Sequence, residues 1–461
     1  CALPIYSQVV LRCPAMSRLA ARRRAPSAGV GAEVSLDEVR ALYHAGRYAE
    51  ALEAVGGPGA LRALYDPAGR VLAGRLAARL GAPRLAQALF FRAHRDAPTD
   101  PEAAHLWGLT LLARRGPWHT LRWLRRLDAT SPLLRGLEGR CLAALRDFER
   151  AAPLLEGAVR ERPDEPWLEV ERIMALLEGR DRPEEARIAL EGLLTRAPGY
   201  RPALHALAQV VSGLGEPERA LAVLDGEGSL GFELLSHRAE LAFNVGRFEK
   251  TEADLVAAID AASLLEPQVR SSLALRAAEA AYLPRAYRRA AGWARQGDSS
   301  RKGGAASFAR RFAAALDGLE DGAALPRRCL DAVPHVRQHH ETCVPASLAA
   351  VSAFHGAPVD QRAIADEITF AGTTHAAQRA WAERGGWAVR ELDVTLDAAR
   401  ALIDAGLPIV LSTRAALSGH AQVVIGYDLA REALLVRDPA CPALQEISRE
   451  LLESQRWWGP R

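Results

Sequence analysis

One spacing recurs through the first two thirds of this chain and constrains its fold more than any single residue. A turn-forming residue is followed five positions later by a small one at Gly46/Ala51, Gly81/Ala86 and Gly215/Ala220. Weaker copies stand at Gly116/Leu121, Arg146/Ala151, Asp181/Ala186 and Gly246/Thr251. The second members lie 35, 35, 30, 35, 34 and 31 residues apart. Pro-flanked turns punctuate the units at Pro98–Pro101, Pro163–Pro166 and Pro198–Pro202. Proline ends one helix and suits the first position of the next, so the period predicts stacked helix pairs.

Within a unit the apolar residues keep helical spacing. In WGLTLLARRG, Leu109, Leu112 and Ala113 fall on one face. A small residue at a fixed place is what two closely packed helices require. Period, Gly–x4–Ala pair and Pro turns together resemble tetratricopeptide repeats, about seven helix pairs from residue 35 to roughly 262. Residues 263–320 continue as helices without a clear unit, broken by a loop at 298–305. Stacked pairs of this kind build a concave face that commonly holds peptides or proteins, and a peptide or protein partner is expected there. A rigid spacer is the plainer reading of the same array.

The 461 residues exceed a single core and call for several domains. A net charge of +3 is small for this size and argues against a nucleic-acid partner. The six cysteines are scattered, with no CxxC pair, which fits neither a disulfide scaffold nor a zinc ribbon and points to a reducing, cytoplasmic setting. No apolar run reaches the ~18 residues of a membrane span. Residues 1–34 read as a poorly ordered leader in which Met16 fits a start of translation.

The period vanishes after residue 328. Short β-type runs at 406–413, 421–427 and 433–438 alternate with helix-like segments at 343–356 and 375–386. Helix first, then antiparallel strands, is an α+β order. The expected organisation is a leader (1–34), a helical array (35–320), a linker (321–330) and an α+β domain (331–461).

That last segment carries a set of residues suited to thiol chemistry. Cys343 opens an apolar helix behind Thr342, with Pro345 in the first turn. A helix amino terminus favours negative charge and so depresses a thiol pKa. Gln338, five residues upstream, is an uncharged donor within reach of an oxyanion beside that sulfur. His420 starts one strand and Asp438 closes the next. In a hairpin with Tyr427 opposite Ala433, residue 422 faces 438, and His420 and Asp438 become diagonal neighbours on one face. A slip of one residue separates them. His339, His340 and Cys343 lack a fourth ligand and the adjacent histidines diverge, so no metal and no other cofactor is expected.

The stretches VPHVRQHHETCVPASLAAVSAFHG, SGHAQVVIGYD and VRDPA resemble the signature blocks of cysteine peptidase family 39, the bacteriocin-processing peptidases, over roughly residues 331–461. The resemblance implies a papain-like fold, with Cys343 as nucleophile, His420 as base, Asp438 as the group that orients it and Gln338 at the oxyanion hole. It departs from the pattern at Val344, where many members have Gly, and at the WWGPR end, where one more strand is expected. The expected activity is a thiol hydrolase cleaving a peptide or amide presented by the repeats. Acyl transfer uses the same groups, and a non-catalytic scaffold with a peptide-binding module is the alternative.

Overall fold

The computed structural model describes residues 35–454 except 63, 65, 128–129, 229, 299–303 and 415–418; the leader, Ser418 and the WWGPR end lie outside the described residues. Among the described residues sixteen α-helices run from Leu36–His44 to Gly304–Leu316. Prolines occupy the first turn at Pro67, Pro83, Pro101, Pro132, Pro166, Pro183 and Pro217. Asp66, Asp100 and Ser131 cap three of these starts through their side chains.

The recurring five-residue spacing has a physical cause. Its first member ends a helix in the left-handed region, at φ +75° for Gly46, +84° for Gly81, +86° for Gly215 and +75° for Gly246. Its second member is the close-packing position: Ala51, Ala151, Ala186, Ala220 and Thr251 are fully buried. Arg146 and Asp181 hold the same left-handed conformation without being glycine, at φ 66° and 62°. Arg285 does so too, at φ 67°, and Ala290 five residues later is fully buried. The helices Pro267–Tyr282 and Tyr287–Gln296 are therefore one more pair of the same geometry, in the stretch that shows no unit in sequence.

The chain divides into two compact units. The first comprises Cys1–Ala206, Gly228–Leu235 and Ala257–Glu266. In it, residues 264–266 join the turn before the helix Pro83–Asp96. Leu264 donates its N–H to Leu80 O at 3.0 Å, and Glu266 donates to Gly81 O at 2.9 Å. The Glu266 carboxylate accepts from the N–H groups of Arg84 at 2.8 Å and Leu85 at 3.4 Å, capping that helix from 181 residues away in sequence.

The second unit contains Leu207–Glu227, Ser236–Val256 and Pro267–Arg461. Its sheet is antiparallel: β1 (Arg327–Cys329), β2 (Ile409–Arg414), β3 (Gly419–Asp428), β4 (Ala433–Arg437) and β5 (Gln445–Ser448). The order is β1-β3-β4-β5, with β2 also pairing β3. Val423 and Ile425 pack with Ala350 of the helix Cys343–Phe354, while Val424, Val436 and Ile447 pack with Leu396, Ala399 and Ile403 of another helix. Helices thus cover both faces of this antiparallel sheet.

Asp428 and Arg431, at the turn between β3 and β4, are buried among helices of the same unit. Tyr282 donates to Asp428 Oδ1 at 3.1 Å, and Arg431 is bonded to both Glu279 and Glu446. Asp428 is fully buried and Arg431 is 5% exposed. Burial raises the Asp428 carboxyl above its ordinary value, while Arg431 keeps its charge at such depth through Glu279 and Glu446.

Candidate active site

β3 and β4 pair as Asp428↔Ala433 and Tyr427↔Leu434 next to the turn, one residue away from the pairing expected from sequence. A bulge between Val424 and Gly426 takes up that residue, and from Val424↔Val436 and Val423↔Arg437 the pairing is the expected one. The bulge therefore decides the site. Continued without it, the turn register would put His420 and Asp438 on opposite faces. Gly426 makes room for it, because a Cβ there would stand 2.3 Å from Arg328 O on β1. Leu330 N–H donates to the bulged Ile425 O at 2.7 Å.

The result is a contact between His420 Nε2 and Asp438 Oδ1 at 2.8 Å. With Nε2 so engaged, Cys343 is the second group that acts on the ring. Cys343 is the first residue of its helix, with Thr342 at the N-cap. Burial pushes its thiol up, but the bond to His420, the N–H groups of Ala421 and Val344 and the imidazolium charge together pull it below its usual range. His420 is raised to about 9, first by Asp438 and then by Cys343, against the desolvation of a half-buried ring. Asp438 is destabilised as an anion by burial, yet His420 and the Ala440 N–H hold it below the ordinary carboxylate value.

Other described thiols behave oppositely. Burial drives Cys141 and Cys329 up to about 12, and Cys441 is also raised. Cys343 is thus the one thiol among these four that is shifted toward thiolate.

Gln338 lies in the irregular stretch before the helix. Its N–H donates to Pro439 O at 2.9 Å, one residue beyond Asp438. Its side-chain oxygen is buried and has no hydrogen-bond partner. The adjacent histidines are engaged separately: His339 Nε2 accepts from Arg362 at 3.4 Å, and His340 faces Glu341 at 3.7 Å.

Two residues that sequence reasoning passed over touch this constellation. His335 Nε2 lies 3.1 Å from the carbonyl oxygen of Asp438. Gln361 Nε2 donates to Arg337 O at 2.6 Å, and its oxygen accepts from Thr342 Oγ1 at 3.5 Å, so one carboxamide brackets the stretch from Gln338 to Cys343. Their only mark in the sequence is nearness, of His335 to Gln338 and of Gln361 to a helix start at Asp360.

Comparison with known proteins places this geometry in context. Residues 330–457 match the model of the Peptidase_C39 like family. No curated protein matches the chain. Three solved structures similar to it are a tetratricopeptide repeat protein from Parabacteroides merdae (14% identity, TM-score 0.32, 49% of this chain and 91% of that one), the human IFIT1 dimer with PPP-AAAA (14%, 0.36, 54% and 68%) and a thermophilic TPR protein of Thermus thermophilus (23%, 0.29, 46% and 98%). A Peptidase_C39-like domain at residues 330–457 follows an array of helix pairs in this chain.

Proposed function

We propose that this protein is a thiol hydrolase that cleaves a peptide or related amide, with Cys343, His420, Asp438 and Gln338 as its working residues. The observation that carries the reading is the His420–Asp438 hydrogen bond beside Cys343, whose thiol is drawn toward thiolate by His420 while other described thiols are pushed away from it. The Cys343 sulfur attacks the substrate carbonyl. The Cys343 backbone N–H and the Gln338 carboxamide receive the oxyanion. The His420 imidazolium gives its proton to the leaving amine, which departs as the thioester forms. The ring, now neutral, takes a proton from water as hydroxide adds to the thioester, and collapse returns the thiolate and releases the acid. Asp438 holds the ring in the tautomer that serves both steps.

The substrate is a peptide or protein presented by the helical array, as such arrays commonly do. No helix among the described residues is long and apolar enough to cross a membrane. The four described cysteines are unpaired, which agrees with a reducing cytoplasmic setting. Profiling of wild type against Cys343→Ala on a peptide library tests the reading. Cleavage by wild type alone is expected; equal cleavage by both proteins, or none by either while Cys343 still labels, would overturn it and leave peptide binding without turnover.

A further inference from the structure

The acid of the constellation sits on a tight turn rather than on a strand. Asp438 follows β4 directly and precedes Pro439, which has no N–H to give. Its carboxylate accepts from Ala440 N–H at 2.8 Å, and its carbonyl accepts from Cys441 N–H at 3.0 Å. Such a local turn fixes the shape of residues 438–441 but does not by itself fix where the turn stands relative to His420. Two contacts from the segment before the nucleophile helix supply that reference. Gln338 N–H reaches Pro439 O at 2.9 Å, and the His335 ring reaches Asp438 O at 3.1 Å.

The second contact has a defined chemical form. A carbonyl oxygen only accepts, so His335 Nε2 must carry a proton and donate it. Burial keeps the ring neutral, reinforced by the charges of Arg437 and Arg337 and opposed by the bond to Asp438 and its charge. His335 is therefore a fixed donor of one tautomer aimed at the peptide that carries the acid.

We infer that His335 is a positioning residue, which sets the placement of Asp438 against His420 by holding the Asp438 carbonyl from the opposite side of the turn. The inference rests on the thiol-hydrolase reading for its catalytic meaning but not for its test, because alkylation of Cys343 reports the thiolate whether or not any peptide is cut. His335→Leu, which fills the space and removes the donor, weakens the hold on Asp438. That lowers support for the imidazolium and raises the pH at which the thiolate forms. A displacement of about half a pH unit, roughly a threefold loss of thiolate at pH values below the midpoint, is the expected size. His335→Gln places an amide donor near the Nε2 position and restores the wild-type profile, whereas the shorter Asn does not.

The deciding measurement is the pH dependence of iodoacetamide alkylation in the full chain, for His335→Leu, His335→Gln and His335→Asn, each also combined with Asp438→Asn. If His335 acts through Asp438, the Leu change adds nothing once Asp438 is gone. A lowered melting temperature with an unmoved profile, or equal and additive displacements in both backgrounds, would overturn the inference. Should His335→Leu not fold, the contrast between Gln and Asn carries the same decision. Absence of peptide cleavage by the wild-type protein with the alkylation results intact would instead refute the hydrolase reading alone.

Discussion

Replacing Asp438 with Asn keeps the shape of the side chain and removes its charge. In wild type, His420 is raised from 6.5 to about 9, with Asp438 as the largest cause and Cys343 next. At 1.36 kcal/mol per pH unit this is a preference of about 3 kcal/mol for the imidazolium. If Asp438 supplies at least half, the Asn variant loses about 1.5–2 kcal/mol, more than a factor of ten. The sign follows directly. His420 falls back toward 6.5, the thiolate loses the cation beside it, and Cys343 rises toward the ~8.5 of an ordinary thiol. The alkylation rate of Cys343, followed from pH 5 to 10, should therefore shift its midpoint upward by about one pH unit. Other described thiols are pushed up by burial and contribute little below pH 9. The Cys343→Ala protein supplies the background from Cys1 and Cys13. An Asp438→Asn protein with native circular dichroism and an unshifted midpoint would refute the idea that this carboxylate governs the thiol.

Three more outcomes follow from the geometry. Gly426→Ala sets a methyl 2.3 Å from Arg328 O, so β1 must move; urea denaturation should show a loss of about 1–3 kcal/mol. Glu266→Ala removes the acceptor for two helix-start N–H groups and should cost about 1 kcal/mol, with faster hydrogen exchange at Arg84 and Leu85 and not at Val71. Between pH 7 and 9 two linkages oppose each other. The raised His420 contributes stability that is lost as pH rises through about 9, and the lowered Cys343 contributes stability that grows over the same range. Cys343→Ala removes the second and leaves the Asp438-supported part of the first, so its melting temperature should fall with rising pH more steeply than that of wild type.

The array was legible because its period reports backbone conformation. A glycine marks a left-handed helix end, and an alanine marks the close packing that follows. The signal fades where Arg146, Asp181 and Arg285 take the same conformation, since no residue type announces it there, and the pair built on Arg285 went unseen. The order Cys343, His420, Asp438 could be read from local cues, a helix start and two strand ends. Their meeting depends on the bulge at Ile425, which lies beside the close approach of β1 to Gly426. β1 is three residues of RRC, and β5 reads QEIS; neither has the apolar alternation that marks a strand, so the sheet looked smaller than it is. The contacts of His335 and Gln361 arise from irregular chain, where spacing says nothing about direction.

The β3–β4 turn bears on how the protein is made. Glu279 precedes Arg431 by 152 residues, and Tyr282 precedes Asp428 by 146. A ribosome therefore delivers the helices that receive the turn long before the turn itself, and they can fold first because their contacts are local. The hairpin bearing His420 and Asp438 then arrives at a surface already holding partners for Asp428 and Arg431. Until residue 446 has emerged, Arg431 lacks its second carboxylate and the thiol lacks a fully assembled neighbourhood. Assembly of the site is thereby deferred until residues 420–446 have emerged, well after Cys343 itself.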